Sequence, residues 1–424
     1  VLLTTGGYNA VLGYQALSND TDGLYNVAIG WKAGRNMTGA TANVMIGYQA
    51  MANIDNNPGD EIANSVAIGY QAFLGSDNNT TGTTTDANGT VAIGYQTLKA
   101  LTTGRYNTAL GFEAGLVLTE LDKNTLIGYQ VGKALSGSAG SGNQTFVGYK
   151  AGTAVTSGDA NTYIGSNAAV LATTGIQNVV VGIAAMGAAD GGEANNTALG
   201  AYAMQNSNND LSAHNVFIGV QAGKGGTGAQ SRNVGIGTQA LGGSGGSAQS
   251  HNVAVGYQTG YGLTSGDDNT AVGYQTMLNA TTGNDNVAIG KLAIGSGVLT
   301  GANNIAIGEG SGFDLTSGAF NILLGLRSGA NITTANKNIF IGQDVGLAVT
   351  VTNSAESDGT VGIGHDALKA LTSGAYNVAV GFSALNATTT AGLCTAVGYN
   401  SGLFATTAYN STFIGFKAGQ GITS

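Results

Sequence analysis

Asn26-Val27-Ala28-Ile29-Gly30-Trp31-Lys32-Ala33-Gly34 returns seventeen residues later as Asn43-Val44-Met45-Ile46-Gly47-Tyr48-Gln49-Ala50-Met51. Aligned on the glycine that follows an aliphatic residue, the chain contains 23 such copies, from Gly13 to Gly415. Of the 22 intervals between these glycines, 13 are 17 residues long and the others run from 18 to 25. Self-similarity at a fixed period marks a stacked supersecondary unit that cannot bury its apolar side alone. No stretch of residues 1–424 lacks the pattern, so the sequence reads as a single continuous repeat array.

The residue before the glycine is Ile, Leu or Val in all 23 copies, and the one three before it is Val, Thr or Ile in all but the first, which has Ala10. β-Branched residues at alternate positions predict a short strand. The chain is therefore expected to be all-β, a parallel β-solenoid (β-roll) of about 23 coils with a base period of 17 residues. These two columns are assigned to the inside of the coil. The position between them is Ala in 11 copies, Gly in 2 (Gly235 and Gly362), otherwise a larger apolar residue, and never charged. A strand that is apolar on both sides is buried on both, and a single coil has one inside. The Ala column is thus expected to lie on a second dry face, against another part of the chain or another copy. At about 4.8 Å per rung, the array predicts a rod on the order of 110 Å long.

Asn stands four before the glycine in 17 copies. It suits both a hydrogen-bonded ladder along a parallel array and the turn that enters a strand. The residue after the glycine is aromatic in 13 copies, with interruptions from Ser166 to Thr238 and from Lys291 to His365. This column reads as a stacked ladder sealing a corner of the coil, against the competing reading of a row of rings for stacking sugars. Thr-Thr-Gly at 102–104, 173–175 and 281–283 and Thr-Ser-Gly at 156–158, 264–266, 316–318 and 372–374 read as turns in which Gly supplies φ > 0. Cys394 replaces the repeat Asn and is expected to be a small buried residue.

Composition removes several classes. There are 72 Gly but 1 Pro and no Gly-X-Y period, which excludes collagen. With 9% charged and 42% hydrophobic residues, the chain is not of the disordered type. Fourteen basic against 23 acidic residues give a net charge of −9, without the basic footprint that nucleic-acid binding requires. No apolar run of 18 residues is present, so no membrane insertion is expected. The single cysteine permits no intrachain disulfide. The sequence opens at Val1 inside a repeat and reads as a processed product or a segment of a longer protein.

Asn64-Ser65-Val66-Ala67-Ile68-Gly69, with the many Asn-Val-Ala-Ile-Gly and Asn-Thr-Ala-Val-Gly variants, resembles the head repeat of trimeric autotransporter adhesins and related phage and virus tail-fibre repeats. The resemblance covers all 23 copies, although the adhesin-head repeat is shorter than the one here. It implies a left-handed parallel β-roll and a homotrimer of chains side by side. It further implies that the repeat strands face the trimer interior, with the Ala positions towards the three-fold axis, and that the protein is extracellular, on a cell-surface appendage or a virion fibre.

Few residues could carry chemistry. His214, Arg232 and His251 share the register five before their glycines, with Asp268 and Asp285 next in line, and form a candidate cationic column for anionic groups. Longer coils at 51–64, 74–89, 133–143 and 346–359 predict surface loops. Within the first two, Asp55, Asp60, Glu61, Asp77, Asn78 and Asp86 are the candidate contacts for a host-surface glycan or protein receptor. Neither loop has calcium-loop spacing, and no metal or cofactor is expected. No repeat unit supplies an acid and base pair, so no enzymatic activity is expected. Ice binding would need Thr in one outward column, whereas here Thr shares with Val and Ile a position assigned to the core. The expected function is a structural and adhesive fibre segment. The competing reading is a subunit of a self-stacking extracellular filament, because neither end shows a polar cap against strand addition.

Overall fold

The computed structural model describes residues 6–54, 62–75, 87–137, 142–225, 228–243, 249–349 and 358–422. They form a parallel β-solenoid of about 22 turns with a period of about 17 residues, and no helix occurs among them. Two compact units divide the chain, Val1–His214 and Asn215–Ser424. In the first, eleven three-residue rungs run from Ala10–Leu12 to Thr197–Leu199; in the second, twelve run from Val216–Ile218 to Thr412–Ile414. Each repeat contributes one rung, and within each unit it pairs in parallel and in register with the next, as Val27↔Val44, Ala28↔Met45 and Ile29↔Ile46. The second unit adds a two-residue pair, Gln230–Ser231 with Gln249–Ser250.

The inside and outside of the rung are the reverse of the sequence expectation. The central residue is the buried one: Ala28, Ala92, Leu126, Phe146 and Phe340 are fully inaccessible. The flanking aliphatic columns point outward, with Leu110 44% and Val179 43% exposed. The reason is steric. A coil of 17 residues has a narrow lumen, which a column of Ala fills and a continuous column of Ile would overfill. Alternation along a strand then sends both neighbours of the Ala outside.

Core volume is exchanged between two positions. Ala-centred rungs are commonly followed, four residues after the repeat glycine, by a large buried side chain, as Ala67 by Phe73, Ala92 by Leu98 and Ala271 by Met277. A Phe or Leu centre instead meets glycine there. A Cβ on Gly152 would lie 2.7 Å from the Phe146 ring, and one on Gly34 would lie 2.6 Å from Met45 Sδ of the next turn. Close packing explains both choices, since interiors tolerate neither a void nor an extra methylene.

The corners are built from left-handed residues that are mostly not glycine. The second and fourth residues after the repeat glycine, such as Gln15 (φ 54) and Leu17 (φ 46), and the fifth before it, such as Tyr25 (φ 60), recur in this region. β-Branching is rare at these positions among the described residues, where Val and Thr are absent and Ile294 (φ 48) is the exception, in keeping with its steric cost at φ > 0. Gly374 has the expected positive φ (122), but the other turn glycines differ from expectation. Gly104, Gly158 and Gly318 do not have positive φ; a Cβ there would instead press on a carbonyl of the next turn, that of Leu121, Gly175 or Ala335. They are required by the close stacking of turns and not by the bend itself.

The Asn column is a buried ladder. The Asn286 backbone N–H donates to Asn269 Oδ1 (3.0 Å), its Nδ2 donates to the same oxygen (3.1 Å) and to Gly301 O (3.0 Å), and its own Oδ1 accepts from Asn304 N (3.0 Å). Each side chain thus satisfies groups of the turns on both sides. Cys394 keeps the pattern: it is buried, its backbone N–H donates to Asn377 Oδ1 (3.1 Å), and its thiol lies 3.2 Å from Ala408 O.

Candidate functional site

Each unit presents one exposed surface that its own interior does not explain. The Ile, Leu or Val before every repeat glycine and the Val, Thr or Ile two residues earlier stand side by side on the outside of the sheet, and no charge interrupts them. Thr108, Thr125, Thr145 and Thr162 occupy four successive rungs of the outer column, so the position set aside for ice binding faces outward after all. The Thr run ends at Val179, and its partner column is aliphatic throughout, which leaves the face apolar along most of its length. Two partly exposed aliphatic residues per rung accumulate to on the order of 1,000 Å² in each unit, above the few hundred Å² at which apolar patches mark interaction sites.

Beside this face runs the aromatic column. Tyr14, Trp31, Tyr48, Tyr70, Tyr95, Phe112, Tyr129 and Tyr149 stack in one series, with centroids 4.6 to 6.4 Å apart and interplanar angles of 6 to 19°. The second unit holds Tyr257 on Tyr274 (5.4 Å) and a further series His365, Phe382, Tyr399, Phe416. His365 therefore belongs to the ladder, its imidazole stacked on Phe382 at 5.1 Å and 5°. The rings do not seal a corner from within; they lie outside the coil, Tyr95 being 43% exposed. Their faces are taken by one another and their edges meet solvent. A sugar stacks on a ring face, so the interior of the series offers it no platform. The widest spacing, Tyr14 to Trp31, is where the Lys32 ammonium lies 3.9 Å from the indole centroid.

Next to the rings, Gln side chains form an amide ladder that the sequence reading did not anticipate. Gln71 Nε2 donates to Gln49 Oε1 (3.0 Å), Gln96 to Gln71 (2.9 Å), and Gln275 to Gln258 (2.9 Å). At Glu113 the ladder takes a charge, and the Lys133 ammonium at 2.7 Å, followed by the Gln130 amide, holds its carboxyl below the usual range. The signal was the recurrence of Gln two after the glycine, a residue able to donate along the stack and accept from it.

The candidate binding residues Asp55, Asp60, Glu61, Asp77, Asn78 and Asp86 lie outside the described residues. His214 is exposed at the end of the first unit. In the second, Arg232 and His251 occupy one register on adjacent turns, directly after the paired Ser231 and Ser250. His251 Nδ1 is 3.8 Å from Asp268 Oδ1, both side chains about half exposed, so the column passes from cations to acids. A group that sequence spacing did not bring together is Asp190, Glu193 and Asp210, each with a carboxylate oxygen within 4.8 Å of the others. No helix long and apolar enough to cross a membrane occurs among the described residues. Comparison with protein-family models and with curated proteins gives no match for this sequence.

Proposed function

We propose that the chain is a structural and adhesive segment of an extracellular fibre, a homotrimer in which left-handed β-rolls pack through their outward aliphatic faces. The observation that carries this reading is the uninterrupted aliphatic face itself. An apolar sheet surface on the order of 1,000 Å² per unit is in the range that stable assemblies bury. A second copy of the same surface matches it, because every rung presents the same two residue types. The interface columns are those flanking the Ala, so the Ala column fills each coil and stays away from the three-fold axis. The resemblance to adhesin-head and tail-fibre repeats supports the same assembly. In this reading the longer coils at 51–64 and 74–89 display the contacts for a host-surface glycan or protein receptor, and the protein acts without catalysis.

Light scattering on the purified chain at several concentrations tests the assembly. The expected result is a discrete mass of three times 41.9 kDa, independent of concentration. Replacing Ile289 and Ile307 of the outward column by Lys is expected to reduce that mass while leaving the β-sheet circular dichroism unchanged. A monomer would overturn the fibre trimer, and masses that grow with concentration would favour the self-stacking filament.

A further inference from the structure

In the register seven before the repeat glycine, the coils carry Gly, Ala, Leu, Ile, Ser or Gln, and a single coil carries an ionisable residue, Glu193. That side chain is fully buried. Its Oε2 accepts from the Gly191 N–H at 3.3 Å, while Oε1 has no hydrogen-bond partner among the described residues. A buried carboxylate oxygen left unpaired costs free energy comparable to a lost hydrogen bond or more. The groups it faces worsen the problem. Asp190 stands three residues earlier on the same turn and Asp210 on the next, both exposed, and one oxygen of each of the three carboxylates lies within 4.8 Å of the others.

Asp210 is held in this position. The Gly192 N–H donates to its Oδ1 at 3.0 Å, and a Cβ on Gly191 would collide with the same carboxylate. The Asp190 carbonyl accepts from Thr173 Oγ at 2.9 Å, which ties the bend to the preceding turn. Three like charges are thus brought together by a backbone that has room for them only because residue 191 is glycine. Ligand oxygens that share one calcium at 2.3–2.6 Å lie up to about 5 Å apart, and calcium accepts carboxylates in irregular, partly hydrated geometry. With oxygen donors alone and neither His nor Cys in the group, softer metals are disfavoured.

We propose that Asp190, Glu193 and Asp210 bind a hard divalent cation of the calcium class, clamping two successive turns of the first unit together. Glu193 supplies the buried oxygen, the two exposed aspartates close the site from the solvent side, and water completes the shell. Without a cation, the buried Glu193 Oε1 has no hydrogen-bond partner among the described residues and two further carboxylates stand beside it. A cation reverses the sign of the local potential and removes that penalty.

The test is calorimetric titration of the full, chelator-treated chain with calcium chloride, paired with thermal melts in calcium and in chelator. The expected result is one calcium per chain and a higher melting temperature with calcium. Magnesium, which dehydrates reluctantly, should bind at least tenfold more weakly. Glu193→Gln should abolish binding and, in chelator, melt above the parent chain because one of the three like charges is gone. Asp210→Asn, at an exposed position that does not endanger folding, should weaken binding at least tenfold, whereas Asp285→Asn on the second unit should leave it unchanged. Absence of binding heat and of any melting shift in the parent chain would overturn the proposal. So would an isotherm unaffected by Asp210→Asn, or magnesium binding as tightly as calcium.

Discussion

The buried columns of each turn and the exposed columns beside them obey different rules, although they alternate along the same three residues. Inside, side chains are matched to particular neighbours: Phe146 takes the space that glycine leaves at Gly152, and Asn286 bonds to the turns on both sides. Outside, a column keeps its register while its chemistry changes. The position after the repeat glycine holds stacked rings from Tyr14 to Tyr149, but at Lys291 and Glu309 it holds an ion pair of 2.8 Å. One residue further on, Arg327 and Asp344 pair at 2.8 Å in place of the Gln ladder. The lumen constrains volume and hydrogen bonding together, whereas the surface only asks each residue to match the one stacked above it.

The contrast can be broken from the inside first. Phe146→Ala opens a cavity and should cost about 3–5 kcal/mol, read by chemical denaturation. Adding Gly152→Leu should recover most of that loss, because the pair then copies the Ala92 and Leu98 arrangement, in which Leu98 already adopts φ 47. Failure of the double variant to improve on the single one would break the volume-exchange argument. Next, Asn286→Ala removes the acceptor of the Asn304 N–H and the donor to Gly301 O, and should cost about 1–3 kcal/mol.

Outside, effects should be smaller. Tyr95→Leu loses stacking on Tyr70 (5.2 Å) and Phe112 (5.0 Å) and should cost about 1 kcal/mol, unchanged by added salt. Lys291→Ala should show only a salt-sensitive change that disappears at high ionic strength, since its ion pair is exposed and screened. The smallest expected effect sharpens the comparison at a buried charge. Asp20 is inaccessible, its Oδ1 accepts from the Gly23 and Gly39 N–H groups, and burial raises its pKa above the usual value. A raised pKa means that the folded state holds the proton more tightly, so the contribution is fully present below the unfolded value near 3.8 and is lost as pH rises through the folded one. Melting temperature should therefore depend on pH in this window less for Asp20→Asn than for the parent chain.

Much of this was legible in the sequence. The period, the rung, the Asn ladder and the stacked rings follow from residue types recurring at fixed offsets, because in a parallel array identical positions must contact one another. What the sequence misassigned was polarity. Apolar residues on both sides of a strand do not say which side is the lumen; the make-up of the whole column does, the central one being rich in Ala, as at Ala28, and the one before the glycine large in every turn, as at Ile29. The same oversight hid the meaning of Gly34 and Gly152, which were legible as repeat variants but not as space reserved for Met45 and Phe146. The carboxylates at 190, 193 and 210 were missed because they meet only when two irregular turns, of 18 and 19 residues, are superposed.

The exchange of volume between rung centre and corner also bears on how the chain finds its own alignment. Two turns with Ala centres are interchangeable, and a rung displaced by one period would still pair, in register, with a plausible neighbour. A turn centred on Phe146 or Phe340 is not interchangeable, because its ring fits only where glycine has vacated the corner, as at Gly152 and Gly346. These turns act as addresses along an otherwise repetitive text. A folding chain that slips by one repeat is stopped at the next such address, so the irregular members of the array safeguard the order of the regular ones.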